Sequence, residues 1–375
     1  MAKVETFELP VLEFPRYRTL EPDRALHRLS LASTPFSTEV LAAAFQKECS
    51  LEAVRQYLQS YEASTIHSLI ATPVKGHQLI SFAIEQNLPA CVELLLEYGV
   101  SASLEEFEHV PLLAFAIMRV KWTIGNSTEV VKLLLAHGAD PVCIPTDMWH
   151  NYIQSPCVMA VKQVTDQRQS KWCTLEHRGI LAETLHLTHK YMLWKASTLV
   201  PTTTRETQIA RANNMLGLLR IPFMLIGQNV AASLVMENVY AHIAMKASKP
   251  LLLAFAGLSG HGKTELARQM GQLLKMPRLE IDCAQTKTEF GLLGSVTGYA
   301  SNRYGSPLNN FMAEHTAQPC LVFLDEFDKT DQGVREALLK VMDTGGSTFR
   351  AFSDHSSQHS VHRCVLRSTA WRSKG

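Results

Sequence analysis

LLLAFAGLSGHGKTEL, residues 251–266, decides how the second half of this chain is read. An apolar run, Leu251 to Ala256, leads into a turn with glycines at Gly257, Gly260 and Gly262. Lys263 and Thr264 then open a stretch of helical character, TELARQMGQLL. A loop of the form G-x-x-x-x-G-K-[ST] wraps its backbone N–H groups around phosphate oxygens, and side chains would obstruct that approach. The helix behind the loop points the positive end of its dipole at the same place. The expected cradle comprises Gly257, Leu258, Ser259, Gly260, His261, Gly262, Lys263, Thr264 and Glu265. In such a loop the lysine reaches the outer phosphates and the Thr264 hydroxyl serves Mg²⁺, so the cofactors expected are ATP and Mg²⁺. The run before it has the length and apolarity of a buried parallel strand.

About sixty residues on, CLVFLDE (320–326) reads as a second buried strand ending in two acids. A P-loop fold needs an aspartate there for the Mg²⁺ shell and a glutamate to orient the attacking water. Asp325 and Glu326 take these roles, with Thr264 and Asp325 as the metal ligands and Lys263 and Glu326 as the catalytic pair. A D-E pair alone is usually a solvated loop; five apolar residues before it and a complete phosphate loop upstream change that balance.

From about residue 222 to 345 the chain resembles an AAA+ module of the Clp type, closest to the second ATPase domain of the ClpB disaggregases. PFMLIGQNVA is similar to the family's V-I-G-Q-x-x-A segment, which implies that Ile226 and Gly227 pack on the adenine. GLSGHGKTELA resembles its phosphate loop, and FLDEFDKT its acidic strand end with Asp328 and Lys329 continuing the match. LLGSVTGYASNRYG resembles the substrate-gripping pore loop and puts Gly298 and Tyr299 at the gripping position, with Ala300-Ser301 departing from the family's V-G. The resemblance implies ATP hydrolysis in a homo-oligomeric ring that unfolds or remodels a protein client. After VREALLKVMDTGG (334–346) the family expects a strand ending in a sensor asparagine, an arginine finger and a helical lid. The stretch 347–375 is instead rich in serine, histidine and arginine; CVLRSTA (364–370) falls near the sensor distance without an asparagine, and Arg363, Arg367 and Arg372 have no evident place. The sequence therefore predicts an α/β P-loop domain with a parallel sheet, incomplete at its C-terminus. It predicts ATP binding with turnover in doubt, since an arginine finger is worth roughly 10³–10⁵ in rate.

The first half repeats itself. VELLLEYGVSAS (92–103) and VVKLLLAHGADP (130–141) each end an amphipathic helix in a glycine, Gly99 and Gly138, where a left-handed residue closes a helix most easily. ISFAIEQN and LAFAIMRV precede them, and Phe82 to Phe115 is a step of 33 residues. A period of 33 with paired helices resembles the ankyrin repeat, with Pro111 in VPLLAFAI keeping the family's proline. Weaker copies are expected at 41–64 and, with a long insertion, from 155–164 to 181–193. The alternative is a generic helical domain whose LLL triplets are simply core. Ankyrin-like repeats would bind a protein surface and do no chemistry.

The bulk numbers fit two or three domains in 375 residues, with hydrophobic residues at 46% and charged at 19%. Net charge is +1, which gives no reason to expect nucleic acid or an anionic membrane as partner. The eight cysteines form no C-x-x-C pair, arguing for a reducing compartment and against a zinc site. The N-terminus has three glutamates in its first fourteen residues and lacks a signal peptide's apolar core, so a cytoplasmic location is expected, with a mitochondrial one left open. The expected divisions are a 1–35 extension, repeats over 36–194, a Ser/Thr/Pro-rich linker over 195–220, the ATPase core over 221–346 and an irregular tail over 347–375. Three functions stand side by side: an ATP-driven chaperone, an ankyrin adaptor that holds ATP without efficient turnover, and a non-functional fragment.

Overall fold

The computed structural model describes residues 8–32, 34–107, 109–119, 126–151, 171–224, 226–245, 250–257, 260, 262–285, 291–292, 306–315, 318–336, 338 and 364–368. The chain divides into two compact units, Met1–Thr202 and Thr203–Gly375.

The first unit is a stack of helices. After an extended stretch at 8–14 come α1 (Pro22–Leu31), α2 (Thr38–Gln46), α3 (Leu51–Gln59), α4 (Ala63–Leu69), α5 (Leu79–Glu85) and α6 (Pro89–Glu97). A small hairpin of β1 (Glu105–Glu106) and β2 (Val110–Pro111) follows, then α7 (Leu112–Arg119), α8 (Thr128–Ala136), α9 (Leu175–Thr184) and α10 (Leu187–Thr198). α5 packs on α6 and α7 on α8, while α2, α5 and α7 contact one another in succession and α6 contacts α8. Every residue of α5 is buried, and so is Leu112–Met118 of α7. Helices apolar on all sides cannot stand alone in water, so each needs its neighbours on both flanks.

Helix ends repeat one device. At Gly99 (φ +98°) the backbone N–H of Val100 donates to Leu95 and that of Gly99 to Leu96. Gly138 (φ +91°) does the same with Leu134 and Leu135. Both are closures in which a left-handed residue satisfies the last carbonyls. Asn87 and Glu48 close α5 and α2 in the same way without glycine. From β1 the buried Glu106 carboxylate accepts from the Gln78 backbone N–H at 2.8 Å and the Ser81 hydroxyl at 2.6 Å, with His77 Nδ1 at 2.8 Å. A buried carboxylate with three partners is affordable where a lone one is not.

The stretch 181–193, read from sequence as the end of a fourth copy, belongs to two helices divided at Leu185–His186, where the backbone leaves the helical region. The earlier part of that copy, 155–164, lies outside the described residues. The linker expected over 195–220 is short: Lys195–Thr198 ends α10, and α11 (Thr204–Ala212) begins with a Thr203–Glu206 capping box. Thr203 caps a helix instead of loosening the chain, and the Ser197 and Thr198 hydroxyls donate to the Trp194 and Lys195 carbonyls of their own helix.

The second unit begins with α11, a 3₁₀ run at Leu216–Phe223 and α12 (Asn229–Ala244). Then come β3 (Leu251–Phe255), α13 (Lys263–Leu273), β4 (Arg278–Asp282), α14 (Pro307–Glu314), β5 (Leu321–Asp325) and β6 (Cys364–Ser368). The strands form one parallel sheet in the order β3-β6-β5-β4. Two expectations change here. Within the tail predicted to be irregular, residues 364–368 pair with both β3 and β5 and stand in the middle of the sheet. β3 is not buried throughout: it is the outer strand of the four, and Leu252 is 44% exposed. An edge strand lacks the neighbour that would cover it, whereas Leu321–Leu324 of β5, with strands on both sides, are wholly buried. Phe311, Met312, Val322, Leu324 and Phe327 share one apolar cluster beside β5. Among the described residues no helix is long and apolar enough to cross a membrane.

Candidate functional site

All four strands run the same way, so their C-terminal ends lie along one edge, the usual position for a ligand in an open parallel sheet. Phe255 at the end of β3 is level with Ser368 of β6, and Leu324 of β5 with Arg367. β3 and β5 thus stand two strand spacings apart, roughly 10 Å. The loop after β3 and the acids after β5 open onto the same edge.

The loop carries Gly257 (φ +152°), Gly260 (φ +82°) and Gly262 (φ +77°). These are values that side chains resist, and glycine meets them at no steric cost. A Cβ built on Gly257 or Gly260 would find no atom within 4 Å, so open space lies beside the backbone at both. Gly262 is the N-cap of α13 with no side chain capping the first turn. The N–H groups of a helix's first turn form an anion site when glycines clear the approach, and this helix has eleven residues. Lys263 is the first helical residue, and its Nζ donates to the Gly257 carbonyl at 3.0 Å. The lysine thus folds back across its own loop. Thr264 follows on the same turn, and Glu265 is exposed with its Oε1 accepting from Gln269 at 2.7 Å. Leu258, Ser259 and His261 lie outside the described residues, as do Gly298 and Tyr299.

At the other half of the site β5 delivers Asp325, whose Oδ1 accepts from the Glu326 N–H at 3.0 Å. Glu326 sits in the left-handed region at φ +49°, ψ +38°, a cost of about 1 kcal/mol for a residue with a Cβ. That short bond from the aspartate helps hold the turn. The Glu326 carboxylate accepts from Lys329 Nζ at 2.7 Å, which holds the lysine above its usual range. Both partners are about half exposed, so this is a loose pair that another group can break.

Sequence reasoning missed two features. Asp282, the last residue of β4, is directly level with Asp325 and adds a second carboxylate at the edge. Its signal was present, since RLEID ends a strand in an acid as LVFLD does. Arg268, on α13, grips Glu280 of β4 with contacts of 2.7, 3.1 and 3.2 Å. The hydrogen bond from Arg268 pulls the Glu280 carboxyl below its ordinary range. No spacing rule pairs residues 268 and 280; only the crossing of helix over sheet does. Ile226 and Gly227 lie just before α12, with Ile226 79% exposed and Gly227 at φ +76°. An apolar side chain so exposed is available to an apolar ring.

These residues fit a nucleoside triphosphate with Mg²⁺: open backbone beside the glycines, an uncapped helix start, a lysine, a hydroxyl and adjacent carboxylates. The parallel sheet with a glycine turn and a helix start at its C-terminal edge has the form of a P-loop domain. Residues 249–361 match the family described as AAA domain (Cdc48 subfamily). The chain is 33% identical over 115 residues to the ClpA homolog protein of Fuscovulum blasticum, covering 30% of this chain and 14% of that protein. It is 30% identical over 129 residues to the peroxisomal Lon protease homolog 2 of Zea mays, covering 32% and 14%. The chaperone protein ClpB of Chlamydia pneumoniae is 31% identical over 129 residues, covering 32% and 15%. Within the second unit, residues 249–361 are thus similar to AAA domains and to Clp and Lon proteins, and the matched stretch spans about one seventh of each of these three relatives.

Proposed function

We propose that this chain binds Mg·ATP and couples its hydrolysis to remodelling of a protein that the helical stack holds. The observation that carries this is the convergence of the Gly257–Thr264 loop and the Asp325–Glu326 pair on one edge of one parallel sheet. Bound Mg·ATP supplies a phosphoanhydride bond. Lys263 would exchange the Gly257 carbonyl for a phosphate oxygen, and the Thr264 hydroxyl and Asp325 carboxylate would hold the metal. Glu326 leaves Lys329 to orient water and take its proton on a carboxylate oxygen. Ile226 and Gly227 flank the base. Tyr299, with Gly298, grips the client, as its resemblance to a pore loop implies, and further copies of the chain complete a ring.

The first unit is proposed to be an ankyrin-like binding module. Supporting this are the paired helices, the left-handed closures at Gly99 and Gly138, and the β1–β2 hairpin between pairs. A second reading, an ATP-holding adaptor with little turnover, holds if the Glu326–Lys329 pair persists with nucleotide bound and keeps the carboxylate from water.

Mg·ATP binding and phosphate release by the purified chain and by Glu326→Gln test both. The motor reading expects binding in both proteins and turnover in the parent alone. Binding with no turnover in either favours the adaptor, and no binding in either removes the nucleotide site.

A further inference from the structure

The extended stretch Glu8–Phe14, ELPVLEF, lies against the first helical unit without joining any helix or sheet. Its side chains alternate in environment. Leu9, Leu12 and Phe14 are buried, while Glu8, Val11 and Glu13 face solvent, Val11 being 82% exposed. The backbone is held by one side chain. Gln46 accepts from the Leu12 N–H through Oε1 at 2.9 Å and donates from Nε2 to the Pro10 carbonyl at 3.1 Å. A carboxamide that takes both a donor and an acceptor of an extended chain reads backbone direction and register, and it is indifferent to which side chains the chain carries.

Gln46 does not act alone. Its Nε2 also lies 3.3 Å from Glu85 Oε2, and Glu85 Oε1 accepts from Arg119 Nη2 at 3.0 Å. Gln46, Glu85 and Arg119 are the last residues of α2, α5 and α7, the three helices that contact one another in succession. The same position on successive helices thus builds a polar ladder, and the stretch is fastened to its first rung. The glutamine is therefore fixed in orientation before any chain arrives. Beside it, Lys47 pairs with Glu13 at 3.3 Å, so a basic rim meets an acid on the extended segment.

We propose that residues 8–14 are a detachable strap occupying a docking groove for an extended polypeptide segment. The segment that fits has apolar anchors at the spacing of Leu9, Leu12 and Phe14, with an acidic residue between the last two. The strap is suited to exchange. Ordering seven residues of chain cancels most of what burying three apolar side chains and making the Gln46 bonds return, so the strap closes by a small margin. Another chain of the same pattern can therefore take its place while the helices stay folded. This inference does not depend on the nucleotide site.

The test uses the full chain. Leu9→Asp, Leu12→Asp and Phe14→Asp together free the groove, and a labelled peptide of residues 5–16, ETFELPVLEFPR, is titrated by fluorescence anisotropy. Binding to the triple variant should be about tenfold tighter or more than to the parent, because the tethered strap competes at high effective concentration. Adding Gln46→Ala to the triple variant should weaken it again. A triple variant that keeps its helical melt but does not bind the peptide overturns the proposal. Hydrogen exchange on the unmodified chain supplies a second, mutation-free reading. The Leu12 amide should exchange about a hundredfold faster than amides inside α2, as a strap that opens by itself must. Equal protection would mean that the strap is fixed core, and the proposal fails.

Discussion

Lys263→Ala separates a phosphate cradle from an ordinary glycine turn. In the structure the Lys263 Nζ makes a 3.0 Å bond to the Gly257 carbonyl at an exposed site. Such a bond contributes about 0.5 kcal/mol to folding once water competes for both partners. Losing it should lower the melting temperature by about 2 °C or less for a unit of this size. Binding is a different matter. A hydrogen bond from an ammonium to a phosphate is worth about 1.5–3 kcal/mol, less about 0.5 for the carbonyl given up. At 1.4 kcal/mol per factor of ten, affinity for Mg·ATP should fall roughly fivefold to sixtyfold. Titration of a fluorescent ATP analogue, with a thermal melt of the same samples, gives both quantities. Affinity within twofold of the parent refutes the phosphate role. A melting temperature lower by about 6 °C or more refutes the premise that the lysine is an exposed arm and makes it a brace of the loop.

Three further outcomes are expected. Gly217→Ala should destabilise the second unit by about 1–3 kcal/mol in urea melts, because the new methyl would overlap the Leu273 carbonyl oxygen at the end of α13. An unchanged midpoint would show that the contact relaxes freely. Burial lowers the His189 imidazole to about 4, so the unfolded chain takes up a proton first as pH falls below about 6.5. The stability this group contributes is complete above that pH and is lost down to about pH 4, a change of about 3 kcal/mol that His189→Gln should abolish when parent and variant are compared across the range. Asp325→Asn should leave ATP binding without metal unchanged and shift the Mg²⁺ dependence to about tenfold higher concentration; an unmoved Mg²⁺ midpoint would take Asp325 out of the metal shell.

Much of the site was written locally. The candidate phosphate loop is contiguous, positive φ favours glycine at Gly257, Gly260 and Gly262, and Lys263 opens the following helix, so spacing alone points to Gly257–Glu265 as a candidate. Asp325 and Glu326 were legible for a similar reason, as the polar end of an apolar run. The left-handed closures at Gly99 and Gly138 are equally local, because a helix end is settled by the few residues that cap it.

Other features depend on what the chain meets after it folds. Nothing in RLEID or LVFLD says that Asp282 will stand level with Asp325; the register of two parallel strands does. The bonds between Arg268 and Glu280, and the contact of Glu326 with Lys329, follow from where a helix or turn lands. LLLAF looked fully buried because apolarity reports the wish for burial and not the strand's place in the sheet, which proved to be the edge. CVLRS stood out in the sequence only for lying near the expected sensor distance, and its place between β3 and β5 is set by the backbone groups of both strands, with which it pairs. The extended strap at 8–14 has neither period nor motif. Sequence by itself located the glycine turn, the acid pair at the end of a strand and the helix closures because each is a short-range steric or electrostatic requirement. Strand order, cross-strand pairs and the Gln46 clamp were decided only in three dimensions, by hydrogen-bonding groups far apart in sequence that found their partners on packing.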